Sequence, residues 1–125
     1  MEKLVNCKIV IDIEHIERIT GGDQFFEIFF TTQDKGECKI VFDNVWDMRY
    51  SIENGSLDRF SKILRAVEQK SGVLLIENSE YIRYFERQVS GTRPTDKLKN
   101  YILYDAIDTV IEILSIREPT LFRIF

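Results

Sequence analysis

Strict alternation of apolar and polar residues is the feature that most constrains this chain. Between residues 4 and 14, Val5, Cys7, Ile9, Ile11 and Ile13 share one phase, while Asn6, Lys8, Asp12 and Glu14 hold most of the other. Successive side chains of a strand point to opposite faces, so a period of two marks a strand with one buried side. The pattern returns at Gln24–Thr32 with Phe26, Ile28 and Phe30, and at Glu37–Phe42 with Cys38, Ile40 and Phe42. Phe25 and Phe29 occupy the opposite phase of 24–32, which predicts cover on both faces of that strand. Thr20-Gly21-Gly22-Asp23 and Gln33-Asp34-Lys35-Gly36 read as the turns joining three strands in meander order.

Further along, Trp46, Met48, Tyr50 and Ile52 alternate with Val45, Asp47, Arg49 and Ser51, which favours a strand over 46–50; a helical stripe through Val45, Met48 and Ile52 competes with it. Ser56 reads as the cap of a helix over 57–71, with Leu57, Phe60, Ile63, Leu64 and Val67 as its buried stripe. Val73-Leu74-Leu75-Ile76 reads as a buried strand over 73–77. A second helix over 79–89 turns Tyr81, Ile82, Phe85 and Val89 inward, and 90–100, with Gly91 and Pro94, is a loop. Residues 101–115 support two readings. Leu103, Ala106, Ile107, Val110, Ile111 and Leu114 form a helical stripe, yet Tyr101-Ile102-Leu103-Tyr104 and Thr109–Leu114 are crowded with residues that lose side-chain freedom in helices. The apolar tail Leu121–Phe125 is expected to dock.

The chain's 125 residues suit a single domain over 1–125, able to bury about two-thirds of its surface. A net charge of −4 disfavours nucleic acid as a partner. No apolar run approaches the ~20 residues of a membrane-spanning helix, and the N-terminus lacks an apolar signal core; the expectation is a cytoplasmic protein with no membrane contact. Cys7 and Cys38 have no CxxC spacing and read as buried free thiols, so neither a metal nor a cofactor is expected. His15 is the sole histidine, flanked by Glu14 and Glu17, a setting that suits a surface charge cluster better than a general base. No phosphate-binding, dinucleotide-binding, zinc-protease or nucleophile-elbow motif occurs.

Charge is unevenly spread. Asp12, Glu14, Glu17, Asp23, Glu27 and Asp34 with Arg18 give residues 12–34 a local net of −5, whereas 83–99 carries +3. An acidic edge attracts a basic partner and raises its on-rate, although it equally suits a solvated sheet edge. Trp46, Asp47, Arg49 and Tyr50, with Glu53 nearby, supply the residue types that anchor protein interfaces, and Asp47 and Arg49 share a parity that suits an ion pair. Partner-binding candidates are therefore Asp12, Glu14, Glu17, Asp23, Trp46, Asp47, Arg49, Tyr50 and Glu53. No catalytic residue is assigned. The competing reading is a small-ligand domain or carboxylate-based enzyme, drawing on Asp43, Asp47 or Glu53, with a pocket under the 90–100 loop that includes Tyr101 or Tyr104.

Two stretches, Lys39-Ile40-Val41-Phe42-Asp43-Asn44-Val45-Trp46-Asp47-Met48-Arg49-Tyr50 and Asn100–Pro119 with its Ile111-Glu112-Ile113-Leu114-Ser115, resemble small acidic α+β proteins of bacteria that include immunity proteins encoded beside polymorphic toxins. The resemblance implies two strands in Tyr101–Ser115 and a non-enzymatic cytoplasmic protein that neutralises its partner, a basic toxin domain, by binding. It carries over no inhibitory residue. The fold expected is α+β: a mainly antiparallel sheet with two helices, 57–71 and 79–89, packed on one face, in a monomer or a homodimer.

Overall fold

The computed structural model of the chain describes residues 2–52, 72–91, 94–107 and 109–124. In chain order these residues form β1 (Lys3–Asn6), β2 (His15–Gly22), β3 (Phe25–Thr31), β4 (Glu37–Phe42), β5 (Val45–Ile52), β6 (Gly72–Glu77), α1 (Glu80–Val89), β7 (Lys99–Tyr104), β8 (Thr109–Ser115) and β9 (Thr120–Arg123). Every ladder among them is antiparallel. They build a five-stranded sheet in the order β1-β6-β7-β8-β5 and a four-stranded sheet in the order β2-β3-β4-β9.

The main core lies between the sheets. Ile28, Phe30, Cys38, Ile40 and Phe42 of the four-stranded sheet pack with Val73, Tyr101, Leu103, Ile111 and Ile113 of the five-stranded one. Phe42 meets the Tyr101 ring edge-on, with centroids 5.5 Å apart. This arrangement corrects the α+β expectation. Among the described residues the chain is mostly antiparallel strand with one short helix, and a second sheet covers Ile28, Ile40 and Phe42 in place of helices. The helix expected over 57–71 lies outside the described residues. Phe85 of α1 packs with Tyr81, Leu98 and Leu114, a cluster separate from the inter-sheet core. Alternation reveals which side chains are buried; a helix layer and a sheet layer bury them equally well, so it is silent on the cover.

The N-terminal alternation also resolves differently. Of the strand expected over 4–14, only residues 4–6 join a ladder, within β1, which pairs with β6. Cys7, Ile9, Ile11 and Ile13 still face the core from an extended stretch that carries no ladder. β2 then runs through most of the expected turn at 20–23. Its register shifts between Ile16 and Arg18, so that Ile16 and Ile19, three residues apart, both reach the core. A bulge of this kind erases the period that reveals a strand. The reversal falls at Asp23 and Gln24, with Asp23 at φ 61° and Gly22 paired to Phe25. Gly21 stands at φ 116° within β2, where a Cβ would lie 2.2 Å from the Phe25 carbonyl oxygen; only glycine fits.

The 101–115 region is two strands. Tyr101–Tyr104 and all of β8 are buried, because these central strands are covered on both faces. A strand buried on both sides is apolar at nearly every position, and that is why it mimics a helical stripe. Asp105 closes the β7–β8 turn: Oδ1 accepts from the Ile107 and Thr109 amides at 3.0 and 2.9 Å, and Oδ2 from the Ile16 amide of β2 at 3.0 Å. One carboxylate thus ties both sheets together. At the other end of β7, Ser79 caps α1 by accepting from the Ile82 amide at 3.0 Å, and its hydroxyl donates to Asn100 Oδ1 at 2.7 Å. The C-terminal tail docks as β9, which pairs with β4.

Candidate functional site

The acidic candidates are spread out. Asp12, Glu14, Glu17 and Asp23 are all exposed, but Glu14 lies just before β2 and Asp23 in the turn after it. Eight residues of strand put roughly 25 Å between the ends of such a row. Two carboxylates of the −5 stretch are matched by cations from later in the chain. Lys39 Nζ lies 2.8 Å from Glu27 Oε2, a hydrogen-bonded pair that holds the Glu27 carboxyl below its ordinary range. Asp34 is lowered by bonds from the Thr32 hydroxyl and the Gly36 amide, with Arg123 3.9 Å away. The linear count therefore overstates the negative charge of the folded surface.

The Trp46–Tyr50 candidates converge on one place. β5 is one of the two edge strands of the five-stranded sheet among the described residues, and a bulge between Val45 and Asp47 lets Trp46 pack against Phe85 of α1 at 6.2 Å. Asp47 and Arg49 share a face, as their parity predicts. Arg49 nevertheless stacks on aromatic rings: its guanidinium carbon sits 3.8 Å from the Tyr81 ring centroid and 5.4 Å from that of Tyr84. Burial, reinforced by the neighbouring Asp47 carboxylate, pushes the Tyr81 hydroxyl above its ordinary value. Arg87 also lies near this group, its guanidinium carbon 6.0 Å from the Tyr84 ring centroid. Tyr84 stays 46% exposed, and Tyr50 and Ile52, on the opposite parity of β5, stay 58% and 50% exposed. The Val45 amide donates to Gln24 O at 3.0 Å, which brings the Asp23 turn against the start of β5. Glu53 lies outside the described residues. Tyr84 and Arg87 were not singled out, because nothing in a single sequence says that their side of the helix abuts β5.

The described residues form one concave site away from the loop at 90–100. A cleft of about 360 Å³ opens between the exit of β1 and the β8–β9 connection, lined by Asn6, Cys7, Lys8, Ile9, Leu75, Tyr101, Glu118 and Pro119. Of the expected pocket residues, Tyr101 is present; Tyr104 instead packs with Leu74, Ile76, Ile102 and Val110. Lys8 and Glu118 pair at 3.4 Å on the exposed rim. Burial pushes the Cys7 thiol above its ordinary value, and Sγ points at the carbonyl oxygens of Ile9 and Val73 at 3.4 and 3.5 Å, so the sulfur is a protonated donor with little nucleophilic character. Cys38 is buried and free. Among the described residues no three His, Cys, Asp or Glu side chains group as metal ligands, and no helix is long and apolar enough to cross a membrane.

Compared with family models, curated proteins and solved structures, the chain has no significant match.

Proposed function

We propose that this chain is a protein-binding module that engages its partner across β5 and the adjoining side of α1. One observation carries the reading: Arg49 is stacked on Tyr81 and Tyr84, with Tyr50, Ile52 and Tyr84 exposed around it. Arginine and tyrosine bury much area at small entropic cost, which is why they dominate binding energetics. A guanidinium already fixed over a ring has less rotamer freedom left to lose on docking. The exposed groups flank both faces of one edge strand, so the fitting partner straddles that edge.

An immunity-like role in the cytoplasm, neutralising a toxin domain by masking it, is compatible with this surface, since it requires affinity and no turnover. Asp12, Glu14, Glu17 and Asp23 then act at longer range. A row of exposed carboxylates steers a basic partner and raises its on-rate, while the Arg49 cluster sets how slowly it leaves. The test is calorimetric titration of the neighbouring gene's product into the wild-type chain and into an Arg49→Ala/Tyr84→Ala variant. Affinity is expected to fall about 30-fold or more in the variant, as for a hot-spot pair. Equal affinity for both proteins, or no binding to the wild type, overturns the proposal.

A further inference from the structure

We infer that β5 receives an extended segment of its partner as a further antiparallel strand of the five-stranded sheet. The segment carries apolar side chains at alternate positions and, between them, an acid opposite Arg49 and a base opposite Asp47. The inference rests on the β5 surface proposed above and names how its partner docks.

The hydrogen-bond parity of the sheet decides which groups β5 leaves over. The Asp105 amide donates to the Thr109 carbonyl at 3.1 Å. Antiparallel pairs exchange hydrogen bonds at alternate positions, so Thr109, Ile111 and Ile113 of β8 turn their backbone groups to β7. Val110, Glu112 and Leu114 then turn theirs to β5, where they pair with Ser51, Arg49 and Asp47. The N–H and C=O groups of Met48, Tyr50 and Ile52 are therefore directed away from β8, along an edge that no other described strand joins. Such a row of donors and acceptors is a template for one more strand.

The four sheet edges differ in how they are guarded. Short strands, bulges and charges all hinder edge pairing. β1 and β9 are only four residues long. β2 is broken by its bulge and accompanied by the exposed carboxylates of Glu14, Glu17 and Asp23. β5 instead keeps an unbroken ladder from Asp47 to Ile52. The cation that could shield it, Arg49, is drawn over the Tyr81 ring of α1 at 3.8 Å.

Side chains set the composition of the segment. Tyr50 and Ile52 share a parity with Met48, which packs on the inter-sheet core, yet they stand 58% and 50% exposed. Residues opposite them gain by being apolar. Asp47 and Arg49 lie on the α1 side beside Tyr81, and opposite charges directly across an antiparallel pair stabilise it. A second copy of the chain fits worse. The two-fold register that uses all the outward residues pairs Tyr50 with Tyr50 and Met48 with Ile52; it sets Arg49 against Ser51 and brings it no acid.

The probe is the acetylated, amidated peptide Lys-Val-Thr-Val-Glu-Val-Lys, which sets its central Val against Tyr50, Glu against Arg49 and the last Lys against Asp47. It is titrated into the whole wild-type chain while amide shifts and hydrogen exchange are followed. Exchange at Met48, Tyr50 and Ile52 is expected to slow about 10-fold or more, while Arg49 and Ser51, already bonded to β8, keep their rates. Methylating the backbone nitrogens of the Val residues opposite Met48 and Tyr50 removes donors without altering a side chain. It should weaken binding about 10-fold or more. Lys-Val-Thr-Val-Lys-Val-Glu, with the charges exchanged, should bind about 3-fold or more weakly. No binding, equal binding by either altered peptide, or unchanged exchange at Met48, Tyr50 and Ile52 would each overturn the inference. So would a dimer of the chain in which those three amides are protected before peptide is added. None of these outcomes touches the Arg49→Ala/Tyr84→Ala titration, so strand addition and the β5 surface fail separately.

Discussion

Asn100 and Tyr101 are consecutive residues of β7, both fully buried, and they treat a buried polar group in opposite ways. Asn100 is partnered throughout: its Oδ1 accepts from Ser79 at 2.7 Å, and its Nδ2 donates to the Tyr101 carbonyl at 3.2 Å. Tyr101, on the inter-sheet side, buries its hydroxyl with no hydrogen-bond partner among the described residues. The difference separates a polar group that anchors the fold from one that is only enclosed by it. A partnered amide anchors α1 to the sheet and gains stability from doing so, whereas an unpartnered hydroxyl lowers stability.

The strongest way to break this distinction is at the charged extreme of the framework. Asp105 sits at the far end of β7 and accepts from the amides of Ile16, Ile107 and Thr109. Asp105→Ala leaves three donors without their acceptor at a largely buried position, and hydrogen bonds to a charged group each carry more than neutral ones. A loss on the order of 4 kcal/mol is expected, read from the midpoint shift in urea. A loss below about 1 kcal/mol would mean that water replaces the carboxylate, and that burial and partnering are not linked here as argued.

At Asn100 the expected effect is smaller because the group is neutral. Asn100→Ala should cost about 2 kcal/mol and Ser79→Ala about 1 kcal/mol, the latter being the ordinary value of a helix cap. The two share one hydrogen bond, so the double variant should cost less than the two separate losses together. A double-mutant cycle measures that shortfall. Strict additivity would show that Ser79 supports α1 without Asn100, and would reduce the network to two independent contacts.

How much of this was legible follows from the same physics. The strands at 25–31 and 37–42 were readable because one face of each is buried and the other is not, and α1 because Ser79 and Glu80 mark its start. The partner of those strands was unreadable, since Ile28 and Ile40 alternate identically under a helix or under Leu103 and Ile111. β2 was hidden by its bulge, whereas β7 and β8, apolar on both faces, left the residue pattern open between helix and strand and were expected as two strands on the resemblance. At the candidate sites, Trp46, Asp47, Arg49 and Tyr50 were visible as residue types on one strand. Their alliance with Tyr81 and Tyr84 was not, because it joins segments more than thirty residues apart. The cleft was hidden for the same reason: Cys7, Leu75, Tyr101 and Glu118 come from four separate stretches.

The smallest expected effect sharpens the comparison most. Tyr101→Phe deletes a buried hydroxyl that no group among the described residues satisfies, so at neutral pH stability should stay within about 0.5 kcal/mol of wild type or rise slightly, the reverse of the Asn100 result. The pH dependence supplies an internal control. The Tyr101 pKa is raised from 10.0 to about 12 in the folded chain, so its contribution is fully present below pH 10 and is lost as pH climbs toward 12, where the unfolded chain releases a proton that the folded chain still holds. Tyr104 shows the same rise to about 12 and remains in the variant. Wild type should therefore lose stability more steeply than Tyr101→Phe above pH 10, in parallel urea titrations at each pH, while the two agree below it. A loss above about 1 kcal/mol at neutral pH would reveal a structural partner for the hydroxyl, moving Tyr101 into the same class as Asn100.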